Sequence, residues 1–435
     1  MRTIGVAALC TLCLLAGTSR ITDAQTIDEL KKSISDLNDR VSELESEKKM
    51  AGNTMRAYWK DGLRFETDDG DFRIQIGGRI MHDWAWFDAN GNLETATGEE
   101  FDDSTEFRRA RLYVGGLIYK NVEFKAQYDF ADSRVKPKDV YIGLINLPFG
   151  KIRVGHIEEP FSLEKQTSSK YITFMERSIL DDAFVPGRNA GIMVSDNAIG
   201  GRVTWAAGVF RDTDDYGNDT GNEYSITGRF TGVPWMEDNG RKLLHLGASA
   251  SYRNAQKEGG KTVSFSAVPE SHLSPADLVD TGTVPADDMN LFGTEAALVY
   301  GSFSLQGEYM VVQVDGRDGT GDPELDGFYL AASYFLTGEN RPYKDGAFIR
   351  VKPKNNFLGK QRGFGAWEMA ARYSSLDLQD TNEGAVGGEL DDYTIGLNWY
   401  LNPNVRVMFN YVMADPDKKY GDSLNVFETR FQIDF

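Results

Sequence analysis

The sequence predicts an all-β membrane protein: a sixteen-stranded antiparallel transmembrane β-barrel with a short N-terminal coiled-coil helix. Three observations carry this. An apolar/charged alternation of period two runs from Asp71 to the last residue. Short turns alternate with long acidic, Gly-rich loops. Beyond residue 24 no apolar run is long enough for a membrane helix, so a membrane-spanning form must be a closed sheet, which satisfies its own backbone polar groups in lipid.

The N-terminus reads as a secretory signal over residues 1–24. Arg2 gives a basic start, Ile4 to Gly17 is apolar but shorter than a membrane helix, and Thr22-Asp23-Ala24 offers small residues two apart before Gln25. Neither Cys10 nor Cys13 follows a lipobox, and both leave with this segment, so the exported chain has no disulfide framework. Loss of Arg2, Arg20 and Asp23 takes the formal net charge from −19 to −20. Such acidity argues against nucleic acid as a partner.

Over 25–50 the residues Ile27, Leu30, Ile34, Leu37, Val41 and Leu44 step by three and four, with Glu29, Lys31, Lys32, Asp36 and Arg40 between them. This is a coiled-coil seam of about three heptads, an oligomerisation element, rather than one helix packed on a body. β-branched residues at one seam position with Leu at the other favour two strands. Gly52 and Asn53 break the pattern, and 51–70 reads as a linker.

The barrel is expected over 71–435. Phe72, Ile74, Ile76 and Ile80 alternate with Arg73, Gln75 and Arg79, and Val122, Phe124, Ala126, Tyr128 and Phe130 alternate with Glu123, Lys125, Gln127 and Asp129. Strands are expected at 71–88, 106–118, 121–131, 138–147, 150–159, 189–198, 201–212, 222–233, 241–254, 290–300, 302–315, 326–337, 364–378, 391–401, 404–414 and 424–435. With both termini periplasmic, short turns such as Lys120-Asn121, Gly200-Gly201 and Asn402-Pro403 lie inside, and the long loops 89–105, 213–221, 255–289, 316–325 and 379–390 outside. The connection 338–363 is long on the short-turn side, against this rule. Trp84 and Trp86 sit where an interfacial belt is expected, and Phe427, Phe431, Ile433 and Phe435 share the final strand's outer face. A barrel of this size leaves an aqueous channel.

Parity places basic groups in that lumen. Arg79 opposes Ile74, Ile76 and Ile80, Arg153 opposes Ile152 and Val154, and Arg109 and Arg111 oppose Leu112 and Val114. Arg108 has lipid-facing parity and must turn to the mouth or snorkel. Any one of these arginines has an ordinary alternative as a wall residue paired with a neighbouring carboxylate. The segment 161–189 is too long for an idle connection. It holds Lys165, Lys170, Arg177 and Arg188 against Glu164, Glu176, Asp181 and Asp182, so it has no net field of its own.

At Phe107-Arg108-Arg109-Ala110-Arg111-Leu112, at Gly155 to Tyr171 (Gly-His-Ile-Glu-Glu-Pro-Phe-Ser-Leu-Glu-Lys-Gln-Thr-Ser-Ser-Lys-Tyr) and at Phe174-Met175-Glu176-Arg177, the chain resembles the phosphate-selective porin O and P family. Gly77-Gly78-Arg79, Pro186-Gly187-Arg188-Asn189, Leu336-Thr337-Gly338-Glu339 and Leu397-Asn398-Trp399-Tyr400 extend the likeness from about Phe72 to Phe435. The resemblance implies an outer-membrane homotrimer whose barrels are each constricted by an inward-folded third loop. It also implies a constriction of Arg79, Arg153, Lys165 and Arg177, with Arg108, Arg109 and Arg111 as a ladder at the outer mouth, and phosphate or other small anions as the solute. Lys138 falls where phosphate-selective members carry an acid, though Asp139 is adjacent.

The alternatives are a general diffusion porin for small solutes and a structural barrel anchored in the lipid bilayer, with its coiled coil reaching the cell wall. An enzyme is not expected: the exported chain has only His82, His156, His245 and His272, none in a catalytic motif. Neither a metal site nor any other cofactor is expected, with no Cys and no paired His.

Overall fold

The computed structural model describes residues 23–50, 54–89, 91–131, 133–213, 216–218, 221, 223–255, 260–360, 362–416 and 423–435. The expected signal segment lies outside the described residues except for Asp23 and Ala24. The chain divides into two compact units.

The first contains α1 (Asp23–Met50), a helix of 28 residues over the predicted heptads. Its seam residues Leu30, Ile34, Leu37, Val41 and Leu44 are each more than half exposed. No helix among the described residues is long and apolar enough to cross a membrane, which says nothing of strands.

The second unit is the barrel. Its strands are β1 (Phe72–Asp88), β2 (Ser104–Ile118), β3 (Val122–Asp129), β4 (Lys136–Leu147), β5 (Gly150–Glu158) and β6 (Arg188–Ala198). Next come β7 (Val203–Arg211), β8 (Ser225–Glu237), β9 (Lys242–Asn254), β10 (Val284–Tyr300) and β11 (Phe303–Gly316). The last are β12 (Glu324–Phe335), β13 (Ala366–Asp380), β14 (Ala385–Asn402), β15 (Val405–Pro416) and β16 (Leu424–Asp434). Each pairs antiparallel with the next, and β16 closes on β1 from Asn425 opposite Asp88 to Asp434 opposite Arg79. The sixteen strands are those the alternation predicts. The largest differences are at β10 and β14, which begin at Val284 and Ala385 rather than at 290 and 391. Pro285, Asp287, Asp288, Gly387, Gly388 and Glu389 near their starts break the apolar/charged alternation, so no sustained period-two signal announces them.

The seam explains Gly77-Gly78. A Cβ on Gly77 would stand 2.5 Å from the carbonyl oxygen of Phe435 and 2.6 Å from the Tyr113 hydroxyl. Phe435 and Gly78 exchange backbone hydrogen bonds of 2.7 and 3.1 Å. The segment read as a linker carries two short strands, Met55–Trp59 and Leu63–Thr67. The second pairs with β1 from Leu63 opposite Ile76 to Glu66 opposite Arg73, below the point where β16 ends.

The outer surface is apolar: Ile74, Ile76, Ile80, Leu112, Val114, Ile142, Val154 and Ile192 are exposed. The inside is filled along one side by three inward-folded connections. Residues 159–187 are anchored at Leu163 and Glu164, whose backbone N–H groups donate to Glu308 at 3.0 and 2.8 Å, and at Thr173, whose carbonyl accepts from Asn398 at 2.7 Å. Residues 260–283 bring Phe265 and Leu278 into one apolar cluster with Leu180 and Phe184 of the first connection. The third is the connection 338–363 that breaks the short-turn rule. It folds up into the barrel, where Phe348 packs with Leu163, Val233, Leu243, Ala297 and Val299, and Arg229 donates to the Gly346 carbonyl at 2.8 Å. Its length is that of a lumen filling.

Candidate functional site

What the three connections leave open is a chamber of about 600 Å³ against the wall of β1 to β6. Arg79, Arg108, Arg109, Arg111, Lys165 and Arg177 all line it. In total ten basic side chains face it against five acidic ones, so this part of an acidic protein is cationic.

Strand geometry delivers the arginines. Alternation along β1 and β2 turns Arg79 and Arg111 inward, where both are buried. Arg108 reaches the lumen through a device the parity rule does not include. Met81 pairs with Arg109 but Asp83 with Glu106, so two residues of β2 oppose one of β1 in a β-bulge. Arg108 then makes a bidentate pair with Glu176 at 2.9 and 3.0 Å, and Arg109 stands 3.7 Å from the same carboxylate. Burial opposes the charge on Glu176, but Arg108, Arg109 and Arg430 hold it well below the usual carboxylate range.

Arg79 donates to the Ser169 hydroxyl at 2.5 Å and to that of Ser168 at 3.5 Å. Lys165 pairs with Asp181 at 3.0 Å. Arg177 donates to the carbonyls of Glu164, Lys165 and Thr167 at 2.9, 3.4 and 3.1 Å, so much of its donor capacity holds the loop itself. Arg111 pairs with Asp129 at 2.5 Å. Asp182, also on the wall, is pushed up to about 6 by burial and by its neighbour Asp181.

Arg153 is not brought to this chamber. It forms a bidentate pair with Glu123 at 2.7 and 3.3 Å, lies 4.6 Å over the Tyr141 ring, and lines a second chamber of about 390 Å³ near the short-turn end. Parity turned it inward correctly, but parity carries no height along the strand. The first chamber also holds residues that the sequence reading named without assigning to the site: Lys125, Arg188, Ser168, Ser169 and Gln166. Lys125 and Arg188 flank Asp139 at 2.5 and 2.7 Å, and Arg188 also reaches Glu158 at 2.8 Å. Asp139 therefore supplies an acid in the chamber where Lys138 interrupted the family pattern. Lys125 was legible from the alternation of β3, whereas the serines depend on the loop's path.

Comparison with known proteins bears on all of this. The sequence pattern defining "Phosphate-selective porin O and P" matches residues 74–435. An uncharacterized protein of Caulobacter vibrioides is 31% identical over 395 residues, covering 87% of this chain and 76% of that one. Porin O of Pseudomonas aeruginosa is 29% identical over 418 residues, covering 86% and 91%. Among solved structures, an anion-selective porin from Comamonas acidovorans aligns with a TM-score of 0.51 at 15% identity, over 84% of this chain and all of that one. OmpT of Vibrio cholerae, a trimer, aligns with a TM-score of 0.52 at 12% identity, over 84% and 99%. These last two speak for the fold alone. With a closed sixteen-stranded barrel, a cationic lumen chamber and a family match over nearly its whole barrel, the chain is an outer-membrane porin and belongs to the phosphate-selective porin O and P family.

Proposed function

We propose that this porin passes anions passively and prefers phosphate or polyphosphate. The observation that carries the reading is the chamber wall, with ten basic side chains against five acidic and with hydroxyls of Ser168 and Ser169 beside Arg79. Guanidinium forks and ammonium groups donate charge-assisted hydrogen bonds to phosphate oxygens, and hydroxyls add donors without adding charge. In this reading Arg108, Arg109 and Arg111 gather anions at the outer side. Arg79 and Lys165 bind within the first chamber, Arg177 holds the loop, and Arg153 acts in the second chamber toward the periplasm. A site of this kind conducts only if it also releases its ion.

The family match and the similarity to Porin O support the reading by kind. A specific observation favours a second reading, general diffusion of small solutes. Arg188, Arg111 and Lys165 are all engaged by carboxylates, which lowers the field left for a solute. We further propose a homotrimer in which three copies of α1 cover one another's seam in the periplasm, with contact to the cell wall as an additional role of that bundle. Chloride current through the purified protein in a planar bilayer, titrated with phosphate, tests the central reading: block at low phosphate supports it, and equal anion and cation permeability without block leaves a general diffusion porin.

A further inference from the structure

We propose that Gln166 is the neck of the conduction path, the residue that sets its size limit and the sign of the ion it passes. This rests on the channel reading above. The two lumen chambers are lined by different walls, the first with Asp212, Thr213 and Gly187 toward the long loops, the second with Asn146, Gly150 and Asn197 toward the short turns. Their linings share one residue, Gln166. Near it in the chain Phe161 and Leu163 are fully buried, and Phe348 packs with Leu163. As the residue common to both linings, Gln166 is where a path joining the chambers would run.

The neck is built to stay in place. Gln166 ends the short helix Leu163–Gln166, whose start is held by the Glu308 carboxylate and by the Ser162 hydroxyl, which accepts from the Lys165 N–H at 3.1 Å. Its side-chain Nε2 donates to the Glu159 carbonyl at 2.8 Å. Glu159 in turn is fully buried, 3.0 Å from Arg253 and 2.7 Å from the Asn189 amide. A tied, uncharged amide thus stands between a chamber with ten basic and five acidic groups and one with three basic and two acidic. It offers hydrogen bonds to an ion losing part of its hydration while leaving the choice of sign to the chambers. A carboxylate at this position would be repelled by the Glu159 carbonyl and turned into the path, where confinement makes its charge count for more than at the mouth.

The test is single-channel recording of the full-length protein in planar bilayers. Gln166→Ala should raise conductance and admit larger neutral polymers, and Gln166→Glu should lower the chloride-to-potassium permeability ratio several-fold. In a chain with Cys10 and Cys13 replaced by Ser, Gln166→Cys should lose most of its current within one recording when a bulky anionic thiol reagent is added. Because that channel is already open before the reagent, misfolding cannot mimic the result. Wild-type channels that conduct while all three variants keep wild-type conductance and selectivity would overturn the neck and leave the channel reading standing. A wild-type protein without conductance would overturn the channel reading, and the neck with it.

Discussion

Arg79 and Lys165 occupy the chamber wall, whereas Lys170, in the same connection, does not line it and lies 3.8 Å from Asp434. Lys165→Glu exchanges a cation for an anion and places it next to Asp181, so phosphate block of chloride current should weaken at least tenfold, as should that of Arg79→Ala. Lys170→Ala should change it little. Asp182 gives the chamber a pH dependence. With its carboxyl pushed up to about 6, it is neutral below that pH and charged above it, so the wall gains a negative charge as pH rises through 6. Chloride-over-potassium selectivity should fall across pH 5 to 7, and Asp182→Asn should flatten the change. At this scale inward-facing residues were legible, because alternation is a property of the strand. It could not show that Arg153 and Arg79 sit in different chambers, or that a bulge frees Arg108.

The inward-folded connection 159–187 is the element on which the site depends, and Glu308 is its main clamp, accepting from two backbone N–H groups and from the Tyr329 hydroxyl at 2.7 Å. Glu308→Ala leaves those buried donors unsatisfied, at about 1–3 kcal/mol each. The loop should then sample released positions, seen as excess current noise and higher mean conductance, whereas Glu308→Gln, which keeps an acceptor, should be milder. The connection 338–363 packs Phe348 against the same helix. Phe348→Ala removes a fully enclosed ring, costing about 3–5 kcal/mol of local packing, and should raise conductance similarly. Strands were legible at this scale wherever one face met lipid, and the ends of β10 and β14 were not because they rise beyond the apolar band. The path of a connection inside the lumen leaves no periodic trace: 338–363 was visible only as a length on the wrong side.

For the whole molecule, the proposed anion path through an acidic protein rests on cationic groups gathered along one inner wall, where low dielectric and confinement strengthen their field. The bare seam of α1 belongs to this scale too. Deletion of residues 25–50 should shift the purified protein from the proposed trimer toward monomer in detergent, as read by light scattering; an unchanged trimer mass would make the helix accessory. Fold and family were readable at the level of the whole chain because period-two alternation and the motifs around Arg108 and Gly155 are dense, whereas solute choice is a balance of ten charges against five that no motif states. The most direct test is therefore electrical: chloride current through the wild-type channel in a planar bilayer, recorded while phosphate is added. A cationic phosphate site requires anion-over-cation permeability and saturable block of that current by phosphate. Equal permeability to chloride and potassium, with no block at any phosphate concentration, would contradict it.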